Sequence, residues 1–146
     1  MFLGQFLHSY DEKWRLTIPA RFRDLLIPDG AFVMQGFEHN LMVVPARTFE
    51  NLSHKVNRIS MTDPKARSLR RLFFSTADRI EVDKVGRILI PQFLRRLITS
   101  ENQLVVVGMG DYFEIWTPEE WEVQNEMIND AESNAHRYAA LDLSSE

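Results

Sequence analysis

The sequence contains the pattern Asp-x-x-x-Arg twice, at residues 11–15 and 83–87. An Asp at the start of a tight connection can accept hydrogen bonds from loop N–H groups and fix the shape of the loop. An Arg four residues later is close enough to pair with that Asp, and its planar fork of donors matches phosphate oxygens or the edge of guanine. The spacing alone leaves two interpretations open. The loops either present arginines to a ligand, or their ion pairs only staple two hairpins.

The two patterns belong to a longer internal repeat with an offset of 72 residues. The segments DEKWRLTIPARFR (11–23) and DKVGRILIPQFLR (83–95) share five of their thirteen aligned residues. The similarity continues into FVMQGFEHNLMVVPARTFENL and VVVGMGDYFEIWTPEEWEVQ, which each predict a strand, a Gly-containing turn, a second strand and a helix. Two similar halves in one chain indicate an internal pseudo-dimer in which both halves supply strands to a shared core.

The alternation of strand and helix patterns predicts an α+β fold. In the first half we expect strands at 5–10, 15–18, 32–36 and 41–44, a short helix opened by Pro19, and a helix over 46–58. A further helix should begin after Asp63 as N-cap, with Pro64 at its first position. Thr117 and Glu120 have the spacing of a capping box, which predicts one long helix at 118–141.

Composition places the chain among compact globular proteins. It has 146 residues, of which 45% are hydrophobic and 26% charged, so one domain can bury a substantial core. No apolar stretch approaches the length of a membrane span, and the amino terminus lacks the pattern of a secretion signal. The sequence contains no Cys, which fits a reducing compartment, and we therefore expect a cytoplasmic protein with no membrane partner.

The charges are divided unevenly along the chain. Residues 1–110 contain 16 Lys and Arg against 11 Asp and Glu, whereas residues 111–146 contain 1 against 10. The first part therefore carries +5 and the last part −9, which together give the net charge of −4. A basic body can attract phosphate locally even though the whole chain is acidic.

The remaining candidate sites for catalysis or metal binding are weak. The four histidines, His8, His39, His54 and His136, lie far apart and lack the spacing of metal ligands. The segment GMG at 108–110 lacks the third glycine of a dinucleotide site, and no phosphate-binding loop or catalytic triad motif is present. The sequence therefore predicts a protein that is not an enzyme and that uses no cofactor, metal or small-molecule substrate.

Several segments together resemble the MraZ family of bacterial transcriptional regulators of the division and cell-wall gene cluster. These segments are the start MFLG, the two Asp-x-x-x-Arg loops, IPARFR, RRLFFSTA and FEIW, and the resemblance covers essentially the whole chain. It implies a double swapped-hairpin β-barrel related to AbrB and the antitoxin MazE, built from two internal repeats with flanking helices. In this interpretation the first repeat spans 1–58, a connecting helix 59–75, the second repeat 76–121, and an acidic C-terminal helix 118–141.

The resemblance also implies a function, a partner and a set of site residues. The family binds double-stranded DNA upstream of its own operon as a ring-shaped homo-oligomer, octamer-like in size, and we expect nucleoid association and a target of promoter direct repeats. Carried over by position, the DNA-contacting residues are Asp11, Arg15, Asp83 and Arg87. Among neighbouring basic residues, contacts to the DNA backbone are predicted at Lys13, Lys84, Arg21 and Arg23.

One position departs from the family pattern. The residue before the motif Arg is usually Gly, as Gly86 is in the second copy, but the first copy has Trp14. If that position requires a positive φ, Trp is costly there. The first loop would then differ in shape, or Trp14 would itself contact DNA or a neighbouring subunit.

Two further interpretations remain open at this level. The helix PKARSLRRLFF is basic on one face, which suits either phosphate or acidic residues of an adjacent subunit. The acidic C-terminal segment also allows an alternative function, an antitoxin-like module that sequesters a protein partner. Against that alternative, the segment has strong signals for a capped helix, whereas antitoxin tails are commonly disordered until bound.

Overall fold

The computed structural model of the protein describes residues 1–141 and 143. The strands are β1 (Gln5–Ser9), β2 (Arg15–Thr17), β3 (Ala31–Gln35), β4 (Leu41–Pro45), β5 (Asp78–Ile80), β6 (Arg87–Leu89), β7 (Gln103–Gly108) and β8 (Phe113–Trp116). The helices are α1 (Ala20–Leu26), α2 (Ala46–Asn57), α3 (Pro64–Thr76), α4 (Pro118–Ile128) and α5 (Ala131–Arg137), with a 3-10 helix at Gln92–Leu97. The α+β composition predicted from the sequence is confirmed.

Helix starts follow the capping signals of the sequence. The side chain of Asp63 accepts a hydrogen bond from the N–H of Lys65, and Pro64 is the first residue of α3. The hydroxyl of Thr117 accepts a hydrogen bond from the N–H of Glu120 at the start of α4. Each cap satisfies one of the N–H groups that have no partner within the first turn of a helix.

The acidic C-terminal segment forms two helices rather than the single helix expected over 118–141. Helix α4 ends at Ile128, with Asn129 as its C-cap. The carboxylate of Asp130 then accepts hydrogen bonds from the N–H groups of Glu132 and Ser133, which starts α5. An Asp side chain that bonds to nearby backbone N–H groups competes with the helical hydrogen-bond ladder. The capping-box spacing of Thr117 and Glu120, from which the single helix was predicted, did not reveal this competition.

Six strands of the described residues form one antiparallel sheet in the order β1-β7-β8-β4-β3-β5. The order interleaves the two halves of the sequence, because β1 of the first half pairs with β7 of the second, and β5 of the second pairs with β3 of the first. The sheet therefore cannot form from either half alone. As described, its ladders end at β1 and β5, so hydrogen bonding within residues 1–141 and 143 does not close it into a barrel.

A separate two-stranded ribbon joins β2 to β6. Its antiparallel register pairs Leu16 with Ile88 at the centre, flanked by the pairs Arg15 with Leu89 and Thr17 with Arg87. Leu16 and Ile88 are buried beneath the ribbon. Since side chains alternate along a strand, the four flanking residues lie on the opposite face, away from the core. The repeat thus brings both motif arginines to one face of one ribbon.

The main core lies between the ribbon and the inner face of the six-stranded sheet. Three aromatic rings form its centre: Phe22 of α1 is 5.0 Å from Phe2 and 5.4 Å from Phe113, measured between ring centroids. All three are buried, and such aromatic contacts add to the hydrophobic stabilisation that burial provides. This core packs directly beneath the ribbon.

Helices cover the outer face of the same sheet in two separate clusters. Helices α2 and α3 lie over β3 and β4, and the buried residues of this cluster are Met34, Met42, Val44, Val56 and Phe73. Helix α4 lies over the other end, where Trp121 packs against Val105, Val107 and Trp116. Trp121 also donates from Nε1 to Oε1 of Gln5 at 2.9 Å. None of the helices among the described residues has the length and apolar character needed to cross a membrane.

Candidate nucleic-acid interface

The first motif loop is organised by the carboxylate of Asp11. Its Oδ1 accepts hydrogen bonds from the backbone N–H groups of Lys13 and Arg15, both at 3.0 Å. Its Oδ2 accepts a hydrogen bond from Arg15 Nε at 2.7 Å and lies 2.6 Å from Nη2 of the same guanidinium. One carboxylate therefore fixes both the backbone of the loop and the orientation of the arginine.

The second loop repeats this arrangement. Oδ1 of Asp83 accepts hydrogen bonds from the N–H groups of Val85 and Arg87, both at 2.9 Å, and Oδ2 accepts one from Arg87 Nε at 3.0 Å. The sequence-based interpretation that the Asp orients the Arg four residues on describes the geometry of both loops. What the arginines contact beyond these aspartates is a matter of function.

The two loops are also in contact with each other. Nη1 of Arg87 lies 3.5 Å from Oδ2 of Asp11, so Asp11 holds its own arginine and reaches the arginine of the other repeat. Within residues 1–141 and 143 the corresponding contact from Arg15 to Asp83 is not formed. The pseudo-twofold arrangement is therefore asymmetric at its centre.

Hydrogen bonds within the loops shift the pKa values of Asp11, Asp83 and Arg15 in the direction that favours their charged forms. Hydrogen bonds from the side chain and backbone of Arg15 lower the pKa of Asp11 to about 2. The pKa of Asp83 is lowered in the same way, chiefly by the backbone hydrogen bond from Arg87. The hydrogen bond to Asp11 raises the pKa of Arg15 further above its already high value. Both aspartates and Arg15 are thus charged at neutral pH.

Part of each guanidinium remains available to a ligand. The side chain of Arg15 is 36% exposed and that of Arg87 is 25% exposed. In the described part of the chain, no acceptor bonds to Nη1 of Arg15 or to Nη2 of Arg87. An oriented guanidinium with unused donors can bind phosphate oxygens or the acceptors N7 and O6 of guanine.

Both loops place a residue with positive φ before the arginine, Trp14 at 60° and Gly86 at 88°. Each loop is closed by a hydrogen bond of 3.0 Å, from Trp14 N–H to the carbonyl of Asp11 and from Gly86 N–H to the carbonyl of Asp83. The position does require positive φ, and the first loop adopts the same backbone shape in spite of its Trp. A left-handed conformation costs roughly 1–2 kcal/mol for a residue that carries a Cβ.

Contacts of its side chain offset the strain at Trp14. Its ring stacks on Tyr10 with 4.8 Å between centroids, and the Cζ of Arg95 lies 5.5 Å from the ring centroid on which it packs. The Nε of Arg95 donates to the carbonyl of Ile90, which holds the guanidinium in place. Cation–π and stacking contacts of this kind contribute about 0.5–2 kcal/mol each.

Arg23 has the same role against the second loop. Its Nε donates to the carbonyl of Ile18 at 2.8 Å, and its guanidinium occupies the space beside Gly86. A Cβ on Gly86 would lie 2.2 Å from Cζ of Arg23, so a larger residue there would have to displace that guanidinium. Each motif loop is therefore supported by an arginine from the other repeat. Sequence reasoning named Arg23 only as a possible DNA contact and missed Arg95, although the two are equivalent positions of the repeat.

The other basic residues predicted to contact DNA lie near the motif arginines, but their surroundings differ. Lys13 and Lys84 are exposed within the two loops, beside the motif arginines. Arg21 is exposed at the start of α1, where its Cζ lies 5.6 Å from the ring centroid of Phe6. The structure thus groups Lys13 and Lys84 with Arg15 and Arg87, whereas Arg23 is half-buried under the second loop.

The part of the chain that the structure describes contains no group of three or more His, Asp or Glu residues arranged to hold a metal ion. The candidate interface is a ribbon face with two oriented arginines and a lysine in each flanking loop. That chemistry suits an anionic polymer.

Comparison with known proteins agrees with this chemistry. The family model described as "MraZ protein, putative antitoxin-like" matches residues 1–72 and again residues 73–143. The chain belongs to the MraZ family. A transcriptional regulator MraZ of Herpetosiphon aurantiacus is 40% identical over 144 residues, which cover 98% of this chain and 100% of the relative. Another from Thermomicrobium roseum is 42% identical over 142 residues, which cover 97% and 99% of the two chains.

Membership of this family excludes one class of function. The relatives are transcriptional regulators by name, and such regulators are not enzymes, so the prediction of a non-enzymatic protein is confirmed. The double match of the family model divides the chain close to the start of the second predicted repeat.

Proposed function

We propose that the protein is a sequence-specific DNA-binding transcriptional regulator that contacts double-stranded DNA through Asp11–Arg15 and Asp83–Arg87. The observation that carries this proposal is the ribbon face on which both arginines are oriented by carboxylates and still have unused donors. Its family of transcriptional regulators supports the same conclusion.

The geometry suggests how the contact is made. The major groove of B-DNA admits a two-stranded β-ribbon, and this ribbon directs Arg15 and Arg87 outward from the core. In the proposed complex these arginines bind base edges or phosphates, and Lys13 and Lys84 bind phosphates on either side. The carboxylates of Asp11 and Asp83 limit the rotamers of the arginines, so less side-chain entropy is lost on binding.

The assembly, target and location are parts of the same proposal. We infer a ring-shaped homo-oligomer, octamer-like in size, that binds direct repeats in the promoter of its own division and cell-wall operon. Such a protein acts in the cytoplasm on the nucleoid. The pairings of β1 with β7 and of β3 with β5 are, in this proposal, the swapped hairpins of a double AbrB-like unit formed by repeats at 1–58 and 76–121, joined by 59–75.

The antitoxin-like alternative has one point in its favour, the words "putative antitoxin-like" in the description of the family model. The docking of α4 argues against it, since Trp121 packs on the sheet and bonds to Gln5, whereas a sequestering tail is expected to be free. Limited proteolysis of the free protein separates the two. Protection of residues 118–128 favours the regulator, and rapid cleavage there favours the antitoxin-like module.

The test of DNA binding is a fluorescence-anisotropy titration with the fragment upstream of the protein's own gene and a scrambled fragment of equal length. Arg15→Ala and Arg87→Ala should each weaken binding to the upstream fragment by about 1–3 kcal/mol, and wild-type affinity should fall steeply with salt. Arg137→Ala, an exposed arginine of α5, removes the same charge far along the chain and should bind as wild type does. Normal affinity in a folded Arg15→Ala, Arg87→Ala double variant would refute the proposal.

A further inference from the structure

The outer face of the six-stranded sheet carries two oppositely charged helical surfaces. The basic surface consists of α2, α3 and their connection, residues 46–76, with seven Lys and Arg against two Asp and Glu. The acidic surface consists of α4 and α5, residues 118–137, with six Asp and Glu against one Arg. The net formal charges of the two surfaces are therefore +5 and −5.

These surfaces do not neutralise each other within one chain. The basic surface covers β3 and β4, and the acidic surface contacts β7, near the opposite end of the sheet. In the described residues 1–141 and 143, every ion pair lies in the motif loops, and none joins the two surfaces. The acidic surface of one molecule is therefore free to pair with the basic surface of another.

Apolar side chains are exposed on both surfaces beside the charges. On α4, Val123 is 56% exposed and Met127 is 47% exposed. On the basic surface, Met61 is 70% exposed and Phe74 is 39% exposed. An interface needs apolar area to exclude water as well as complementary charge to set the orientation, and each surface offers both.

We propose that the acidic surface of one copy of this chain docks on the basic surface of the next copy. Because the two surfaces differ and lie at separate ends of the molecule, the contact is head-to-tail, and a head-to-tail contact produces a ring when its rotation closes. This deepens the assembly within the proposed function by assigning its interface. It also gives the basic helix α3 an acidic protein partner rather than DNA.

Paired charge reversals test the contact. The acid-reversed variant carries Glu122→Lys and Glu126→Lys, one turn apart on α4, and the base-reversed variant carries Arg67→Glu and Arg71→Glu, one turn apart on α3. All four side chains are exposed, so the reversals need not disturb the fold. Each variant alone should lose the wild-type oligomer in sedimentation velocity, because the reversal cuts the net charge of one surface from 5 to 1 in magnitude and removes most of the attraction between neighbours.

Restoration is the decisive measurement. An equimolar mixture of the two variants should form complexes larger than either variant alone, because the unaltered acidic surface of the base-reversed variant meets the unaltered basic surface of the acid-reversed variant. A variant that simply fails to fold cannot be restored in this way. The control variant carries Asp24→Lys and Asp111→Lys, at exposed positions outside the acidic surface. It makes the same change in net charge as the acid-reversed variant and should sediment as wild type does.

Several results would overturn the proposal: a monomeric wild type, full-size oligomers in either reversed variant, or a mixture without complexes larger than either variant alone. If α3 instead contacts DNA, the base-reversed variant keeps its size but loses affinity for the upstream fragment. Since the sizes are measured without DNA, failure of this inference leaves DNA binding by the motif loops standing. Failure of wild-type DNA binding likewise leaves the sedimentation result intact.

Discussion

Arg87 Nη1 reaches across the ribbon to within 3.5 Å of Oδ2 of Asp11, while the equivalent approach of Arg15 to Asp83 does not occur in the described residues. Asp11 therefore orients two arginines and Asp83 only one. The two repeats have similar sequences and the same loop hydrogen bonds, yet their aspartates contact different numbers of arginines. This difference can be measured by replacing each aspartate separately.

Asp11→Asn should reduce DNA specificity more than Asp83→Asn. Either change removes a negative charge near phosphate, which increases non-specific attraction, so the ratio of affinities for the upstream and scrambled fragments is the informative quantity. We expect this ratio to fall about tenfold or more in Asp11→Asn, in line with the roughly 1–3 kcal/mol contributed by one well-oriented base contact. The Asp83→Asn variant is the matched control, and an equal or larger loss there would show that the contact between the repeats is unimportant.

The aspartates also predict how stability depends on pH. A carboxyl whose pKa is lower in the folded protein than in the unfolded chain stabilises the fold above its unfolded pKa, and that contribution is lost as pH falls through the folded pKa. For Asp11 the window runs from the ordinary value of 3.8 down to about 2. Denaturant unfolding of wild type and Asp11→Asn should therefore differ by a constant amount above the window and converge within it. A difference that persists unchanged to the acid end of the window would contradict the shift.

Substitutions at Trp14 should reverse the usual order of stability, in which Ala is more stabilising than Gly. Trp14→Gly and Trp14→Ala both lose the contacts with Tyr10 and Arg95, but Gly adopts the φ of 60° without strain. We expect Trp14→Ala to be less stable than Trp14→Gly by about 1 kcal/mol, whereas Ala is normally favoured inside regular elements. Thermal unfolding of both variants measures the order, and equal stabilities would mean that the loop rearranges.

The second loop provides the complementary measurement. Gly86→Ala introduces a Cβ both at positive φ and in the space of the Arg23 guanidinium, so we expect a loss of about 1–3 kcal/mol in the free energy of unfolding. Combining Gly86→Ala with Arg23→Ala vacates that space and should remove only the steric part of the penalty. Strict additivity of the two substitutions would show that the arginine does not brace the loop.

Local signals in the sequence predicted the elements well, because strands and helices depend on nearby residues. The pattern of apolar residues indicated β1, β3 and β4, and the caps at Asp63 and Thr117 marked the starts of α3 and α4. The same reasoning missed that the segment after Pro91 forms a 3-10 helix, although its equivalent after Pro19 is an α-helix. It also missed the break at Asp130, where a side-chain cap competes with the continuing helix.

The contacts between the repeats could not be predicted in this way. The contacts of Arg95 with Trp14, of Arg23 with Gly86 and of Arg87 with Asp11 each join residues more than 60 positions apart in the chain. They follow from the pairing of β2 with β6, whose register is visible only once both halves are folded together. The internal repeat was the available signal. Equivalent positions in two copies that share one core suggest that the copies contact each other.

The spacing of DNA sites provides the last prediction. One chain offers two motif arginines and a modest excess of positive charge in its body, so its affinity for a single short site should be low. An oligomer with repeated ribbons can engage neighbouring sites on one duplex, and the second contact is then intramolecular. Avidity of this kind can exceed single-site affinity by roughly 10²–10⁴ without any new contact.

That gain requires each site to present the same face of the DNA to the oligomer, so the sites must be spaced by about one helical turn, 10–10.5 base pairs, or a multiple of it. A half-turn insertion between two sites should therefore weaken binding more than a single base change inside one of them. Gel shifts with one, two and three sites, with and without the insertion, measure the effect. The acid-reversed variant of α4 is the control, because it should bind all these fragments with the low affinity of one site. If wild type binds one site as tightly as three, or tolerates the insertion, the protein binds DNA without avidity.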